Sequence, residues 1–184
     1  MAKKICVDPG HGMSNRVKGV FDPGAMHLEG TMRFEEAAIA LQYGLALRNE
    51  LQSRGAAVFM TRDDATDHAP VGMRAANAKA AGCDVFVSFH LNDFDDDNAN
   101  GFEVLYGATA HRAFAEAVHK TVLAVVKLKD RKAKPRTDLA VLKFAGPAAL
   151  IELGFIANDR DREVIINPAV RHNVCVALAD LLLA

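Results

Sequence analysis

The sequence predicts an α/β domain, a mostly parallel twisted sheet of about six strands with helices on both faces. Three observations predict it. Short apolar runs alternate along the chain with segments of helical periodicity, the order that builds parallel sheets. One run, Asp84-Val-Phe-Val-Ser-Phe89, is almost continuously apolar, as in a strand covered on both faces. The chain has 184 residues, 51% of them hydrophobic and 24% charged, enough to bury one sizeable core. No linker, low-complexity tract or internal repeat divides it, so residues 1–184 are expected to form a single domain.

Taken in order, Ile5-Cys-Val reads as a short buried strand stopped by Asp8-Pro9-Gly10. Pro9 cannot donate to a ladder, and Gly10 and Gly12 allow a sharp turn that leaves His11 at the strand's C-terminal end. Open α/β sheets place ligands and chemistry at that edge. Residues 13–33 read as a loop with a turn at Asp22-Pro23-Gly24. From Phe34 to Arg54 the periodicity is helical, and Gly55 ends it. Glu36, Ala40, Tyr43, Leu47 and Leu51 share one face, with Glu35, Gln42 and Asn49 on another. Glu36 therefore points inward and Glu35 toward water. A buried carboxylate at that position needs a cation or a metal.

Ala57 to Thr61 is a second strand, followed by the polar Arg62-Asp-Asp64. Gly72 to Ala81 is a short helix ended by Gly82. The strand Asp84 to Phe89 runs into His90-Leu91-Asn92, a second histidine at a strand end. Asp93-Phe-Asp-Asp-Asp97 lacks the glycine and the final glutamate of an EF-hand loop, and reads as a solvated loop. Phe102 to Tyr106 is a strand, and His111 to Val126 a helix with Phe114, Val118, Thr121, Val122 and Val125 inward. The basic run Lys127 to Arg136 reads as a solvated loop; the alternative is a rim that attracts an anionic polymer. Leu139 to Phe144 is read as a short strand, and Ala148 to Leu153 as a stronger one closed by Gly154. Glu152 lies inside it, where a carboxylate is costly unless paired or working. Asn167 caps and Pro168 starts the last helix, with Val170, Val174, Leu178 and Leu181 inward.

A net charge of −1 gives no global attraction to nucleic acid or anionic lipid. Cys6, Cys83 and Cys175 are odd in number, without CxxC spacing and each in an apolar setting, which points to reduced, buried thiols rather than a disulfide framework or a cysteine zinc site. The basic Met1-Ala-Lys-Lys is followed by an apolar run that ends at Asp8, short of the ~7–15 residues of a signal peptide. No stretch approaches the ~20 apolar residues of a membrane span. The expectation is synthesis in the cytoplasm without a signal peptide, and no membrane insertion.

His11, His90 and Glu152 thus fall at or near strand ends, and Glu36 at a helix start. Two imidazoles and a carboxylate with an open fourth position form the pattern of a catalytic zinc site, and a further carboxylate suits proton transfer. Spacing alone does not select zinc, because the candidates are scattered along the chain. His27, His68, His111, His119 and His172 read as non-ligands in loops or on helix surfaces, with His27 near the mouth. Asn77 and Asn92 are candidates to orient the ligands through hydrogen bonds.

Three ordered motifs, Asp8-Pro-Gly-His-Gly12, Ser88-Phe-His-Leu-Asn92 and Ile151-Glu-Leu-Gly-Phe155, resemble the signature of the zinc-dependent N-acetylmuramoyl-L-alanine amidases of the amidase type 3 family. Asp22-Pro-Gly-Ala25, Thr61-Arg62 and Arg74-x-x-Asn77 extend the resemblance over nearly the whole chain. The resemblance implies a Zn2+ cofactor held by His11, Glu36 and His90, with Glu35 the fallback for Glu36, and Glu152 as the catalytic carboxylate. It implies hydrolysis of the amide between the lactyl group of N-acetylmuramic acid and L-alanine of the peptidoglycan stem peptide. Met13, Ala37 and Ala157 depart from the family's usual glycine, lysine and serine, which touches substrate contacts rather than the metal. The interval of about 60 residues from His90 to Glu152 leaves little room for an inhibitory helix, so the enzyme is expected to be constitutively active. A compact, endolysin-like monomer is expected, without a separate wall-binding domain, reaching peptidoglycan through a breached inner membrane. The alternatives are another zinc peptidoglycan hydrolase, a peptidase or deacetylase, or a non-catalytic wall-binding module.

Overall fold

The computed structural model describes residues 3–94 and 98–184. A sheet of strand order β4-β1-β5-β8-β6-β7 forms its middle layer. Its strands are β1 (Lys4–Pro9), β4 (Ala57–Met60), β5 (Val85–Asn92), β6 (Phe102–Tyr106), β7 (Asp130–Pro135) and β8 (Ala148–Phe155). β4, β1, β5 and β8 are mutually parallel, whereas β6 runs antiparallel to β8 and carries β7 parallel at the edge. The expected mostly parallel sheet is therefore present.

Helices α1 (Glu36–Ser53), α3 (Arg112–Val126) and α5 (Pro168–Leu183) cover one face and enclose the larger apolar core. The other face is covered by α2 (Val71–Ala80) and a 3-10 turn (Ala140–Lys143), over a smaller core of Cys6, Phe86, Leu142, Phe144 and Leu150. From β1 the chain crosses by α1 to β4 on one side, then by α2 to β5 on the other. The C-terminal ends of β1 and β5 therefore flank a topological switch point, where such sheets open a crevice.

Several expectations change in detail. Within the loop expected at 13–33, β2 (Met26–Glu29) and β3 (Met32–Glu35) form an antiparallel hairpin. The basic run is the edge strand β7, paired to β6 from Phe102↔Asp130 to Tyr106↔Pro135. Lysines along an outer strand suit an edge that must not pair further. Leu139 to Phe144 holds the 3-10 turn instead of a strand, since Leu142 N bonds back to Leu139 O. An additional helix, α4 (Asp159–Ile166), follows β8, capped by the Asn158 side chain.

The buried face of α3 is Ala115, Val118, His119, Val122 and Val126, with Phe114, Thr121 and Val125 only partly covered. On α5, Val174, Cys175, Leu178, Ala179 and Leu182 are buried, with Val170 and Leu181 at the margin. His111 and His119 are buried, not superficial; His119 stacks on Phe102 at 5.3 Å with Nε2 3.0 Å from Asp130 Oδ1. The acidic stretch expected as a loop falls partly outside the described residues, at 95–97. The cysteines are free thiols, Cys6 and Cys175 buried as expected but Cys83 partly exposed. Among the described residues no helix is long and apolar enough to cross a membrane.

Candidate metal centre and active site

β1 ends in a turn that the backbone does not adopt readily. His11 has φ 58°, in the left-handed region, which costs energy for a residue with a Cβ. Two buried arginines hold the turn by its carbonyl oxygens. Arg62 donates to Pro9 O and Gly10 O at 3.0 and 2.7 Å, and Arg74 donates to Pro9 O and His11 O at 2.7 and 2.6 Å. Arg74 also pairs at 3.0 Å with Asp8, a fully buried carboxylate that accepts from Ser88 and Thr61 as well. Burial alone would raise the Asp8 pKa, but the Arg74 charge and the two hydroxyls outweigh it and hold the carboxylate below its ordinary range. Asp8, Thr61, Arg62, Arg74 and Ser88 thus form a polar plug beneath the turn.

Glu36 is the first residue of α1. Glu35, just before it, makes no capping bond; the backbone N–H groups of Glu36 and Ala37 donate instead to Ala25 O and Pro23 O, both at 2.9 Å. The helix start is thereby tied to the Asp22-Pro-Gly turn. Glu36 is 3% exposed and turns inward, while Glu35 pairs with Arg33 on the hairpin. The Glu36 carboxylate is fixed by two backbone donors, Leu91 N to Oε1 at 2.9 Å and Ala25 N to Oε2 at 2.8 Å.

His11, Glu36 and His90 meet here. His11 Nε2 and His90 Nδ1 each lie 3.0 Å from Glu36 Oε1, and the rings sit edge to face with centroids 4.9 Å apart. Asp22 Oδ2 lies 2.9 Å from His11 Nδ1, so this carboxylate orients the ring and leaves Nε2 facing the cluster. Burial opposes a charged His11, but Glu36 and then Asp22 overcome it and hold its pKa up at about 9. Burial likewise opposes a charged Glu36, yet its bonds to His11 and His90 hold its carboxyl far below the usual range. The cluster without an ion is thus an anion clasped by protonatable rings.

The donors fit zinc. They are two imidazole nitrogens and a carboxylate oxygen, all within 4.8 Å of one another. Tetrahedral bonds of about 2.0–2.2 Å would set donors roughly 3.3 Å apart, close to the contacts seen. The surroundings leave these side chains no room to retreat. A Cβ on Gly10 would lie 2.4 Å from His90 Cε1, and one on Gly24 2.5 Å from Glu36 Oε2. Asp63, Asp64 and Asp67 also approach one another, but they lie at the surface and bond locally.

Glu152, paired in register with His90, borders the same cavity of about 340 Å³. Its Oε2 is buried and has no hydrogen-bond partner among the described residues, although the residue as a whole is partly exposed. Burial, with help from the Glu36 and Glu103 charges and against the pull of His90, pushes its pKa up to about 7. A carboxyl poised there can both accept and return a proton near neutrality.

The structure thus brings all four candidates around one cavity. Asn92 turns instead to Glu103, at 3.1 Å, and Asn77 lies exposed on α2, so neither orients a ligand. His27 borders a separate groove beside Asn158 and Arg160, and His68 bonds Asn15 O at 2.9 Å. Asp22 reads in the sequence as a turn residue and as part of the resembling Asp22-Pro-Gly-Ala25, not as the partner of His11. Glu103 is a further buried carboxylate, and its place between Phe102 and Val104 carries the same sequence signal as Glu152. It is buried opposite Glu152 and receives Arg131 and Lys134.

An open, mostly parallel α/β sheet with a His–Glu–His cluster and a buried, unpartnered carboxyl oxygen beside its switch point defines a hydrolase-like domain. A family model described as N-acetylmuramoyl-L-alanine amidase (Amidase_3) matches residues 5–183, and the chain belongs to that family. The catalytic domain of CwlV, an N-acetylmuramoyl-L-alanine amidase from Bacillus (Paenibacillus) polymyxa var. colistinus, is 26% identical with a TM-score of 0.85, covering 97% of this chain and 94% of that one. An N-acetylmuramoyl-L-alanine amidase from Clostridium difficile 630 is 29% identical with a TM-score of 0.82, over 98% and 95%. The probable cell wall amidase LytH of Staphylococcus aureus is 29% identical over 97% of this chain. The chain spans only 56% of the length of that relative.

Proposed function

We propose that this chain hydrolyses peptidoglycan at the amide joining the lactyl group of N-acetylmuramic acid to L-alanine of the stem peptide, with zinc held by His11, Glu36 and His90. The observation that carries this reading is the convergence of those donors beside the unpartnered Oε2 of Glu152, in a chain of the amidase family. When bound, zinc supplies Lewis acidity toward a water and the amide carbonyl. The chain's own residues do the rest. Asp22 and the backbone of Ala25 and Leu91 keep the His11 ring and the Glu36 carboxylate in place. Glu152 takes a proton from the attacking water and delivers it to the alanine nitrogen as the carbon–nitrogen bond breaks. The products are a lactyl carboxylate and a free amino group.

We infer that residues 1–184 form one catalytic unit and that it serves as a wall-degrading lysin. The test is digestion of purified peptidoglycan. The expected result is new alanine amino groups without new sugar reducing ends or acetate, abolished by a chelator and restored by zinc. Release of acetate, or of amino groups from residues other than the first alanine, would replace this reading with a deacetylase or a peptidase. Failure to clear cells stripped of their outer membrane would remove the lysin role while leaving the chemistry.

A further inference from the structure

The cavity beside the cluster is lined by the carboxyl groups of Asp22, Glu36 and Glu152, by apolar Leu105, Leu139 and Val141, and by Arg136. Two cations border the cavity, Arg74 and Arg136. Arg74 is 2% exposed and already committed to Asp8 and to the carbonyls of Ala69, Pro9 and His11. Arg136 is exposed, and its position is fixed by its backbone N–H, which donates to Tyr106 O at 2.8 Å at the end of the β6–β7 ladder. Its side chain meets Asp138 through Nε and Nη2, at 2.9 and 3.1 Å, which leaves Nη1 without a partner among the described residues. The pair is exposed on both sides and holds the guanidinium plane rather than consuming its charge, since such surface pairs contribute little. The neighbouring cations Arg131 and Lys134 are bound to Glu103.

We propose that Arg136 is a specificity-determining residue that selects stem peptides whose second residue carries a free α-carboxylate rather than a carboxamide. This rests on the amidase reading and deepens it. With the scissile amide at the His11–Glu36–His90 cluster, the stem peptide runs along a cavity lined by Leu105, Leu139, Val141 and Arg136. The next residue's carboxylate meets Arg136, whose Nη1 has no other partner among the described residues. A guanidinium reads a carboxylate through charge-assisted, paired N–H donors, and a carboxamide forfeits both the charge and one acceptor.

The experiment compares two muropeptide oligomers that differ only in carboxyl or carboxamide at the second stem residue. Wild type should favour the carboxylate by roughly 10- to 100-fold in kcat/KM, chiefly through KM. R136Q should bring the carboxylate substrate down to the level of the carboxamide, so that the preference disappears. R136K should keep part of it, and D138A, which frees the whole guanidinium, should widen it. A circular-dichroism melt of each variant guards against misfolding. Equal cleavage of both substrates by wild type, or a preference that survives R136Q, overturns the role of Arg136 and leaves the amidase reading standing. Cleavage of neither substrate, nor of polymeric peptidoglycan, removes the amidase reading and this one with it.

Discussion

At the scale of the residue, the centre separates two kinds of carboxylate. Glu36 accepts from two backbone N–H groups and lies 3.0 Å from both rings, whereas Glu152 Oε2 has no partner among the described residues. The first is built to stay ionised and the second to change its protonation. Glu152→Gln keeps the shape but cannot take a proton, so turnover on peptidoglycan should fall by about 10²–10⁴-fold while stoichiometric zinc remains. Zinc lost together with activity would make Glu152 a ligand. Glu36→Ala should lose zinc and Glu35→Ala should retain it, as measured by elemental analysis of protein purified without chelator. Equal loss from both would undo the distinction. The inward turn of Glu36 was legible in the sequence, because helical periodicity puts it on the face of Ala40, Tyr43 and Leu47, all of them buried. Asp22 was not legible, because nothing local shows that an aspartate in a Pro-Gly turn reaches a histidine 11 residues earlier.

At the scale of the element, the turn after β1 is held against its own strain by Arg62 and Arg74 and by the absence of side chains at Gly10 and Gly24. Gly10→Ala would put a Cβ into the His90 ring, so zinc affinity should fall at least tenfold in a competition titration with a chelator. Gly72→Ala, in a helix with nothing within 4 Å, is the control, and should be neutral or stabilising by about 0.4–1 kcal/mol. Arg74→Met strands the Asp8 carboxylate in the interior, and a urea titration should show a loss of about 3–5 kcal/mol. An unchanged midpoint would mean the plug is not coupled to stability. Elements with strong patterns, the apolar strands and the amphipathic α1, were read from sequence to within a few residues. The β2–β3 hairpin was missed because Met26, Leu28 and Met32 are exposed and give no alternating burial to detect. β7 was missed because an edge strand of lysines and arginines looks like solvent-facing loop, its order coming from pairing with β6. The 3-10 turn at Ala140–Lys143 was mistaken for a strand because a short apolar run has no decisive period.

At the scale of the molecule, proton binding links the centre to folding, and the signs can be worked out for metal-free protein. Glu152 has a folded pKa of about 7 against an ordinary 4.5. The folded state therefore holds the extra proton between those values, and stability falls as pH rises through that window. His11 has a folded pKa of about 9 against 6.5. Its contribution is complete below pH 6.5 and disappears as pH rises through 9. Asp8, Asp22 and Glu36 are shifted down, so their contributions are present above their ordinary pKa values and vanish as pH falls below them. Chelated protein should therefore melt highest near about pH 5 and lose stability steadily toward about pH 9. Zinc held as proposed would reverse the upper limb, because a metal binds imidazoles only when their protons have left, and binding to the folded state adds to stability. The increment in Tm on adding zinc should grow between about pH 6 and pH 9. Glu152→Gln should remove the loss between about pH 5 and 7 and leave the loss above 7 intact, since His11 is untouched. The measurement is Tm against pH for wild type and variant, each with chelator and with zinc. A metal-free Tm that climbs from pH 6 to 9, or a zinc increment that shrinks over that range, would show that the His11 ring is not held protonated by Glu36 and Asp22.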